Sequence, residues 1–204
     1  MLNDMFSRFD ELTEKHGVYK VETIGDAYMV AAGHLPEDTN SGAARVLSFA
    51  KDMIKAMEDV YSPKGSLQIR VGVHCGPAHS GVVGTKMPRY CFFGDTVNTA
   101  SRMESTGFPS CIQCSNNILS MLQQPGEDDD GIYGQSCFFE YGKRAIKGKG
   151  EMTTYLLKIG DWKVAVEEKK REALASANGE ENRLAQRKKS ISLLSETYQR
   201  VKFR

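Results

Sequence analysis

The sequence has almost no net charge and no long apolar run. Its 27 basic and 26 acidic residues leave a formal net charge of +1, so the overall charge does not predict binding to nucleic acid or to an anionic membrane. No stretch reaches the roughly 18 apolar residues of a membrane-spanning helix, and no charged-then-apolar leader opens the chain. We therefore expect neither a membrane span nor a secretion leader in these 204 residues.

Cysteine is sparse, and its pattern does not predict a disulfide-stabilised fold. The five cysteines are Cys75, Cys91, Cys111, Cys114 and Cys137. Their number is odd and their spacing is wide, whereas disulfide scaffolds carry dense, paired cysteines. We expect a reducing, cytoplasmic setting, either for a free protein or for the cytoplasmic domain of a larger membrane protein.

The Cys111-x-x-Cys114 pair invites a zinc interpretation, but no second cysteine pair exists to complete a site. The alternation of side chains along a short strand explains the spacing of this pair better than a zinc site does. Internal repeats are also absent, which removes solenoid and propeller architectures from consideration.

The apolar residues make up 40% of the chain, enough for a hydrophobic core. Their spacing alternates between steps of three and four, which indicate helix, and steps of two, which indicate strand. The predicted helices cover 1–16, 42–57, 96–104 and 116–123. The predicted strands cover 18–24, 27–32, 67–75, 79–83, 89–93, 111–114, 138–141 and 153–157. Interleaved in this way, with at least one hairpin, they predict an α+β sandwich of helices on a mostly antiparallel sheet.

Polar loops are predicted at 35–41, 62–65 and 125–131, and the chain changes character near residue 160. The last 44 residues hold 11 basic and 7 acidic side chains and show no strand pattern. We expect a domain over 1–160 and a polar, helical or disordered tail over 161–204. A few tail residues have coiled-coil seam spacing: Leu184, Ile191, Leu194, Tyr198 and Val201. Because two heptads are too few to establish a coiled coil, a solvated, partly helical extension is the alternative.

The segment 20–29 (KVETIGDAYM) places Asp26 at the tip of a predicted hairpin. A carboxylate that projects freely from a turn can bind a hard cation such as Mg²⁺. Aspartate after glycine is also ordinary turn chemistry, so the segment by itself leaves both interpretations open.

The segment 89–104 (RYCFFGDTVNTASRME) places Asn98 and Arg102 four residues apart on a predicted helix. Both side chains therefore project from one helical face. An amide beside a guanidinium suits a sugar hydroxyl and a phosphate, although an ordinary solvated helix face would look the same.

Together the two segments resemble the signature stretches of class III adenylyl and guanylyl cyclases. Two further segments support the resemblance: 146–155 (IKGKGEMTTY), and 70–76 (RVGVHCG) followed by 81–84 (GVVG). All four occur in family order, and the resemblance extends from the first residue to about residue 160. It implies a fold related to the ferredoxin-like βαββαβ arrangement and a head-to-tail dimer with active sites in the interface. Each such site takes metal ligands from one protomer, and base-reading and transition-state groups from the other.

The resemblance also implies a reaction and a set of site residues. The ribose 3′-oxygen attacks the α-phosphorus and expels pyrophosphate, with the help of two divalent cations, Mg²⁺ or Mn²⁺. Asp26 matches one of two metal-binding aspartates, and Asn98 the residue that orients the ribose. Arg102 matches the arginine that stabilises charge at the α-phosphate, and Lys147 the lysine that holds the terminal phosphates.

The nucleotide base is predicted from the positions matched by Glu22 and Cys91. A carboxylate only accepts hydrogen bonds, so Glu22 can take both donors of a guanine edge but opposes the N1 acceptor of adenine. The Cys91 thiol can donate weakly to the guanine O6. Adenylyl cyclases typically have Lys and Asp at these positions. We therefore predict a guanylate cyclase acting on GTP, with adenylate cyclase and a non-catalytic dimer partner as alternatives.

The sequence departs from the family in its first element. Class III cyclases begin with a strand of the pattern Phe-x-Asp-Ile-x-Gly-Phe-Thr, which supplies the other metal-binding aspartate, and we find no such strand here. We therefore expect the chain to be weakly active or inactive alone. It could still contribute Glu22, Cys91, Asn98, Arg102 and Lys147 to an intact partner, in a homodimer or in a heterodimer with another cyclase domain.

Overall fold

The computed structural model of the chain describes residues 1–34, 42–60, 65, 67–123 and 133–176. The predicted loops at 35–41 and 125–131, residues 62–64 of the third, and all five seam residues from Leu184 to Val201 lie outside these ranges. The chain divides into two units, Met1–Trp162 and Lys163–Arg204. In the second unit the described residues, 163–176, are helical.

The helices of the first unit lie close to their predicted bounds. They are α1 (Leu2–His16), α2 (Gly42–Ala56), α3 (Asp95–Ser105) and α4 (Asn116–Leu122), with short 3₁₀ turns at Met57–Asp59 and Gln135–Cys137. Helix α1 ends because Gly17 adopts a left-handed conformation, φ 60°, in which the backbone N–H of Gly17 reaches the carbonyl of Glu14. Glycine takes this conformation without a steric penalty.

Eight strands form two hairpins and one four-stranded sheet. They are β1 (Tyr19–Ile24), β2 (Ala27–Ala31), β3 (Val71–Val73), β4 (His79–Val83), β5 (Arg89–Phe93), β6 (Ile112–Ser115), β7 (Phe138–Ile146) and β8 (Gly150–Leu157). Strands β1 and β2 pair with each other, as do β4 and β5, and the larger sheet has the order β3-β6-β8-β7. Only β3 and β6 run parallel among these described pairs, so the predicted α+β fold with mostly antiparallel pairing is confirmed.

Three strand predictions had the wrong length. The strand expected over 67–75 is limited to Val71–Val73. Isolated bonds extend it on either side: the amide of Ser110 donates to the carbonyl of Ile69, and the side-chain amide of Asn117 donates to the carbonyl of Cys75. In contrast, β7 and β8 are much longer than the predicted 138–141 and 153–157. Their added halves carry charged side chains on the solvent face, which hides the apolar alternation that predicts strands.

The core has two parts, and α2 contributes to both. Leu47 and Ala50 pack with β6 and α4, whereas Phe49 and Met53 pack with α1 and with the side chains of β2. The sequence predicted a single apolar stripe on α2 and missed the second one. Because α2 is buried on two sides, it connects the β1–β2 hairpin to the four-stranded sheet.

Helix α3 packs against β3 with no space for a side chain at Gly72. A Cβ added at Gly72 would lie 2.1 Å from the backbone nitrogen of Glu104 and 2.6 Å from the carbonyl oxygen of Ala100. Contacts this short with backbone atoms can be relieved only by moving the helix.

We expect Gly72→Ala to destabilise the protein by about 3 kcal/mol or more, because overpacking here displaces backbone rather than a flexible side chain. Urea unfolding of the chain measures the change. The matched control is Gly81→Ala, in strand β4, where an added Cβ meets nothing within 4 Å. Equal unfolding midpoints for the two variants would contradict the expected close packing of α3 on β3.

Candidate functional site

The β1–β2 hairpin carries Glu22 and Asp26 in different surroundings. Asp26 lies in the two-residue turn and is exposed, while Glu22 lies within β1 and is half-buried. Lys20 pairs with Val30 and Glu22 pairs with Met29, so β1 has one extra residue between the two pairs. This β-bulge turns Glu22 to the face opposite Lys20.

The face of the hairpin opposite Glu22 is attached to α1 through Asp10. Lys20 Nζ lies 2.6 and 2.9 Å from the two Asp10 carboxylate oxygens, and the Tyr28 hydroxyl donates to Oδ1 at 2.5 Å. The hydrogen bonds from Lys20 and then Tyr28 lower the pKa of Asp10. Burial, followed by the bond to Asp10, raises the pKa of Tyr28. No sequence pattern predicts this contact among three residues, because a helix position and two strand positions meet only in the fold.

Cys91 lies in the middle of β5, opposite Gly81 of β4. It is half-buried, and its thiol donates to the backbone carbonyl of Arg89 at 3.6 Å. Because this sulfur–oxygen contact is long and a thiol is a weak donor, the thiol can exchange it for another acceptor at little cost.

Strands β1 and β5 touch through aromatic side chains. The ring of Tyr19 lies 6.1 Å from that of Tyr90 and 6.2 Å from that of Phe92, between ring centroids. Alternation along β5 places the intervening Cys91 on its other face. The structure thus brings the two strands together, but no described contact joins Glu22 directly to Cys91.

Helix α3 presents Asn98 and Arg102 away from the core, as predicted. The helix begins at Asp95, after Gly94 in a left-handed conformation with φ 122°. Thr99 and Met103 form its buried face. Asn98 is exposed and Arg102 is half-buried, and neither side chain is hydrogen-bonded within the described part of the chain.

The turn between β7 and β8, which contains Lys147, lies close to Arg102. A Cβ added at Gly148 would lie 3.6 Å from the Arg102 Nη1, so the turn lies against the guanidinium. Lys147 is exposed and has no partner among the described residues. Lys149, two residues further on, forms an ion pair with Asp95 at the start of α3. The pKa of Asp95 is lowered, mainly by the hydrogen bond from Lys149.

Cys111 and Cys114 are buried side chains of the β6 region rather than metal ligands. Both are fully inaccessible to solvent. Burial raises the pKa of Cys111 to about 12 and raises that of Cys114 as well, so both remain neutral thiols at physiological pH. Strand β6 is buried on both faces, so core packing accounts for the burial of both thiols, and alternation of buried and exposed residues does not.

Asp26 suits one ligand position of a divalent cation, because it is an exposed carboxylate with no competing partner among the described residues. No group of three or more His, Cys, Asp or Glu side chains able to hold a metal occurs in the described part of the chain. Asp26 is therefore a candidate for one ligand of a cation, not part of a complete site within the described residues.

Within the described ranges, no helix is both long and apolar enough to cross a membrane.

Comparison with known proteins identifies relatives over the whole first unit. The family model described as "Adenylate and Guanylate cyclase catalytic domain" matches residues 1–159. The rat protein "Guanylate cyclase soluble subunit beta-2" is 51% identical over 159 residues, which are 77% of this chain and 22% of that protein. Human "Guanylyl cyclase C" is 46% identical over 163 residues, 77% of this chain and 14% of that protein. The chain thus spans less than a quarter of the length of these relatives.

A solved structure has the same fold. The guanylate cyclase domain of RhGC from Catenaria anguillulae, crystallised in complex with GTP, superposes with a TM-score of 0.66 at 36% identity. The superposition covers 78% of this chain and 82% of that domain.

Proposed function

Because this chain belongs to the adenylate and guanylate cyclase catalytic domain family, we propose that it acts on GTP and forms 3′,5′-cyclic GMP and pyrophosphate. The proposal rests on the contact between the Arg102 guanidinium and the β7–β8 turn at Gly148. Lys147 precedes Gly148 in this turn, 45 positions after Arg102 in the sequence, so its ammonium is within reach of a ligand that also contacts the guanidinium. Two cations arranged in this way suit a triphosphate.

Each of the predicted site residues has a role that its surroundings support. Asn98, exposed one turn before Arg102, hydrogen-bonds and orients the ribose. Arg102 stabilises the charge that develops on the α-phosphate when the 3′-oxygen attacks, and Lys147 binds the terminal phosphates. Asp26 supplies a carboxylate to a divalent cation, Mg²⁺ or Mn²⁺. Such a cation, when bound, favours ionisation of a hydroxyl and neutralises phosphate charge.

Base recognition is assigned to Glu22 and Cys91. The bulge before Glu22 turns its carboxylate to the face opposite Lys20, which bonds to Asp10. The Glu22 carboxylate is therefore available to the N1 and N2 donors of guanine. The Cys91 thiol, held only by a weak bond to its own strand, is available to O6. Adenine offers the opposite polarity at both places and is disfavoured, in keeping with the guanylate cyclases among the relatives.

Catalysis is proposed to occur in a dimer, with either a second copy of this chain or another cyclase domain. Glu22 and Asp26 lie on one hairpin but have roles in opposite sites of the family dimer. One protomer therefore contributes its base-reading and phosphate-binding residues to a site whose metal ligands belong to its partner. Residues 1–160 are proposed to form this catalytic domain and 161–204 a separate extension. The cytoplasm is the proposed location, either of a free protein or of a domain of a larger membrane protein, since none of the five cysteines, all within the described residues, forms a disulfide.

The proposal is tested by product analysis with GTP and Mn²⁺, and with ATP in parallel, using mass spectrometry. The chain is assayed alone and with a helper, a second guanylate cyclase domain whose arginine matching Arg102 is replaced by alanine. Helper dimers are inactive, so product in the mixture depends on residues contributed by this chain. We expect cyclic GMP from the mixture and far less cyclic AMP.

The alternatives give different products in the same assay. Cyclic AMP as the main product would identify an adenylate cyclase and contradict the assignment of Glu22 and Cys91. Absence of both products, despite binding of the helper to the chain, would identify a non-catalytic partner.

A further inference from the structure

We propose that Asp95 and Lys149 are positioning residues, whose ion pair fixes the β7–β8 turn against α3 so that Lys147 and Arg102 engage one triphosphate together. The inference rests on the proposed function, because it concerns the same site. It distinguishes the two lysines of the turn, which are chemically identical and two residues apart.

The two lysines differ in their surroundings. Ile146 pairs with Gly150, and the amide of Lys149 bonds to the Ile146 carbonyl at 2.9 Å, which leaves a turn of three residues. Lys149 points to Asp95, whereas Lys147 has no partner among the described residues. One lysine is therefore occupied within the protein, and the other is available to a ligand.

The β7–β8 hairpin is attached to both ends of α3. At the far end, Arg144 of β7 donates from Nη1 to the carbonyl of Thr106 at 2.6 Å, directly after the helix. At the near end, Lys149 holds Asp95, the first residue of the helix. The 11-residue helix is about 16 Å long, and the side chain of Arg102 reaches the turn between these two attachments.

The near attachment is exposed to solvent, whereas the far one is partly buried. The Asp95 side chain is 64% exposed, and exposed ion pairs contribute little to global stability. His74 and Arg102 are the other charged or titratable groups that act on Asp95. Burial lowers the pKa of His74, and its Nδ1 lies 2.6 Å from the Ser115 hydroxyl, so it does not take the place of Lys149. Without the pair, the turn can move away from Arg102 while the hairpin remains folded.

Positioning has a large effect on rate even when its effect on stability is small. A displacement of about 1 Å in a catalytic arrangement can cost about 100-fold in rate. Lys149→Met and Asp95→Asn, tested with the helper, are each expected to lower cyclic GMP formation at least tenfold, mainly in kcat. The double variant is expected to be no worse than either single variant, because both remove one interaction. Lys149→Arg retains the pair and should retain most activity.

The control is Lys143→Met, on the same hairpin, where Lys143 lies 3.9 Å from Glu151 in an exposed pair. Amide hydrogen exchange supplies a readout other than activity. Exchange over 146–150 should quicken in Lys149→Met and Asp95→Asn but not in Lys143→Met, with little change in unfolding temperature.

Three results would overturn the inference. If Lys149→Met impairs the reaction while Asp95→Asn does not, Lys149 binds substrate itself. If both variants behave like Lys143→Met while the unaltered chain is active, the pair does not position the turn, and the proposed function stands. If the unaltered chain gives no product with the helper, the proposed function fails and this inference fails with it.

Discussion

Arg102→Ala is expected to lower cyclic GMP formation by about 100- to 1000-fold, the usual effect of removing one group that stabilises charge in a transition state. The loss should appear in kcat more than in KM, because the charge at the α-phosphate grows only as the 3′-oxygen attacks. The assay is the mixture with the helper, in which Arg102 is the only arginine available for this role. Arg102→Lys should recover part of the rate, since it keeps the charge but not the planar donor pair.

Arg70→Ala is the matched control for this prediction. Arg70 also contacts α3, through Glu104, with its Nη2 2.9 Å from the carboxylate. Both side chains of that pair are more than 40% exposed, so its loss should change stability by less than about 1 kcal/mol and leave the rate nearly unchanged. Similar activities for Arg102→Ala and Arg70→Ala would show that Arg102 does not act on the substrate.

Exchanging the base-reading residues is expected to reverse nucleotide preference. In Glu22→Lys with Cys91→Asp, a donor faces the adenine N1 and an acceptor faces the N6 amine. The same lysine opposes the guanine N1–H donor, and the same aspartate opposes the guanine O6 acceptor. One mismatched buried polar group costs about 1–3 kcal/mol, or roughly 5- to 150-fold in preference. Two mismatches should therefore change the ratio of ATP to GTP turnover by at least about 25-fold. The ratio of kcat/KM values, measured with the helper, gives the result.

Thr23→Lys controls for the added charge. Thr23 follows Glu22 in β1 and pairs with Tyr28 on the other face of the hairpin. A lysine there is as close in sequence to the base-reading position but points away from it, so the preference for GTP should persist. If the ratio changes equally in this variant, the general charge of the hairpin, not the polarity of Glu22 and Cys91, governs the choice of base.

The local spacing of apolar residues and of turn residues predicted most helices and strands of the fold. Gly17 ends α1, the turn at Gly25 and Asp26 joins β1 to β2, and β4 and β5 have their predicted bounds, since each depends on a few neighbouring residues. The prediction failed where distant residues decide the outcome. The outer halves of β7 and β8 are strands because they pair with each other, although charged residues interrupt their apolar pattern.

The candidate site shows the same division. The identities of Glu22, Asp26, Cys91, Asn98, Arg102 and Lys147 came from motifs that a reader can find in the sequence, and their roles remain predictions. Asp10 lies outside these motifs, and Asp95, although inside the segment 89–104, was assigned no role from the sequence. Each becomes informative only through a lysine that the fold brings to it, Lys20 and Lys149 respectively.

The sequence by itself therefore determined the family, the types of most elements and the chemistry available at each site position. Hydrogen-bonding capacity and helical or strand periodicity belong to the residue and its neighbours, so they need no structure. The tertiary structure decided which face of β1 Glu22 occupies, which lysine of the turn is free, and which residues meet Arg102. These outcomes depend on a bulge in strand pairing and on contacts across more than 40 residues, because packing of whole elements, not local preference, selects them.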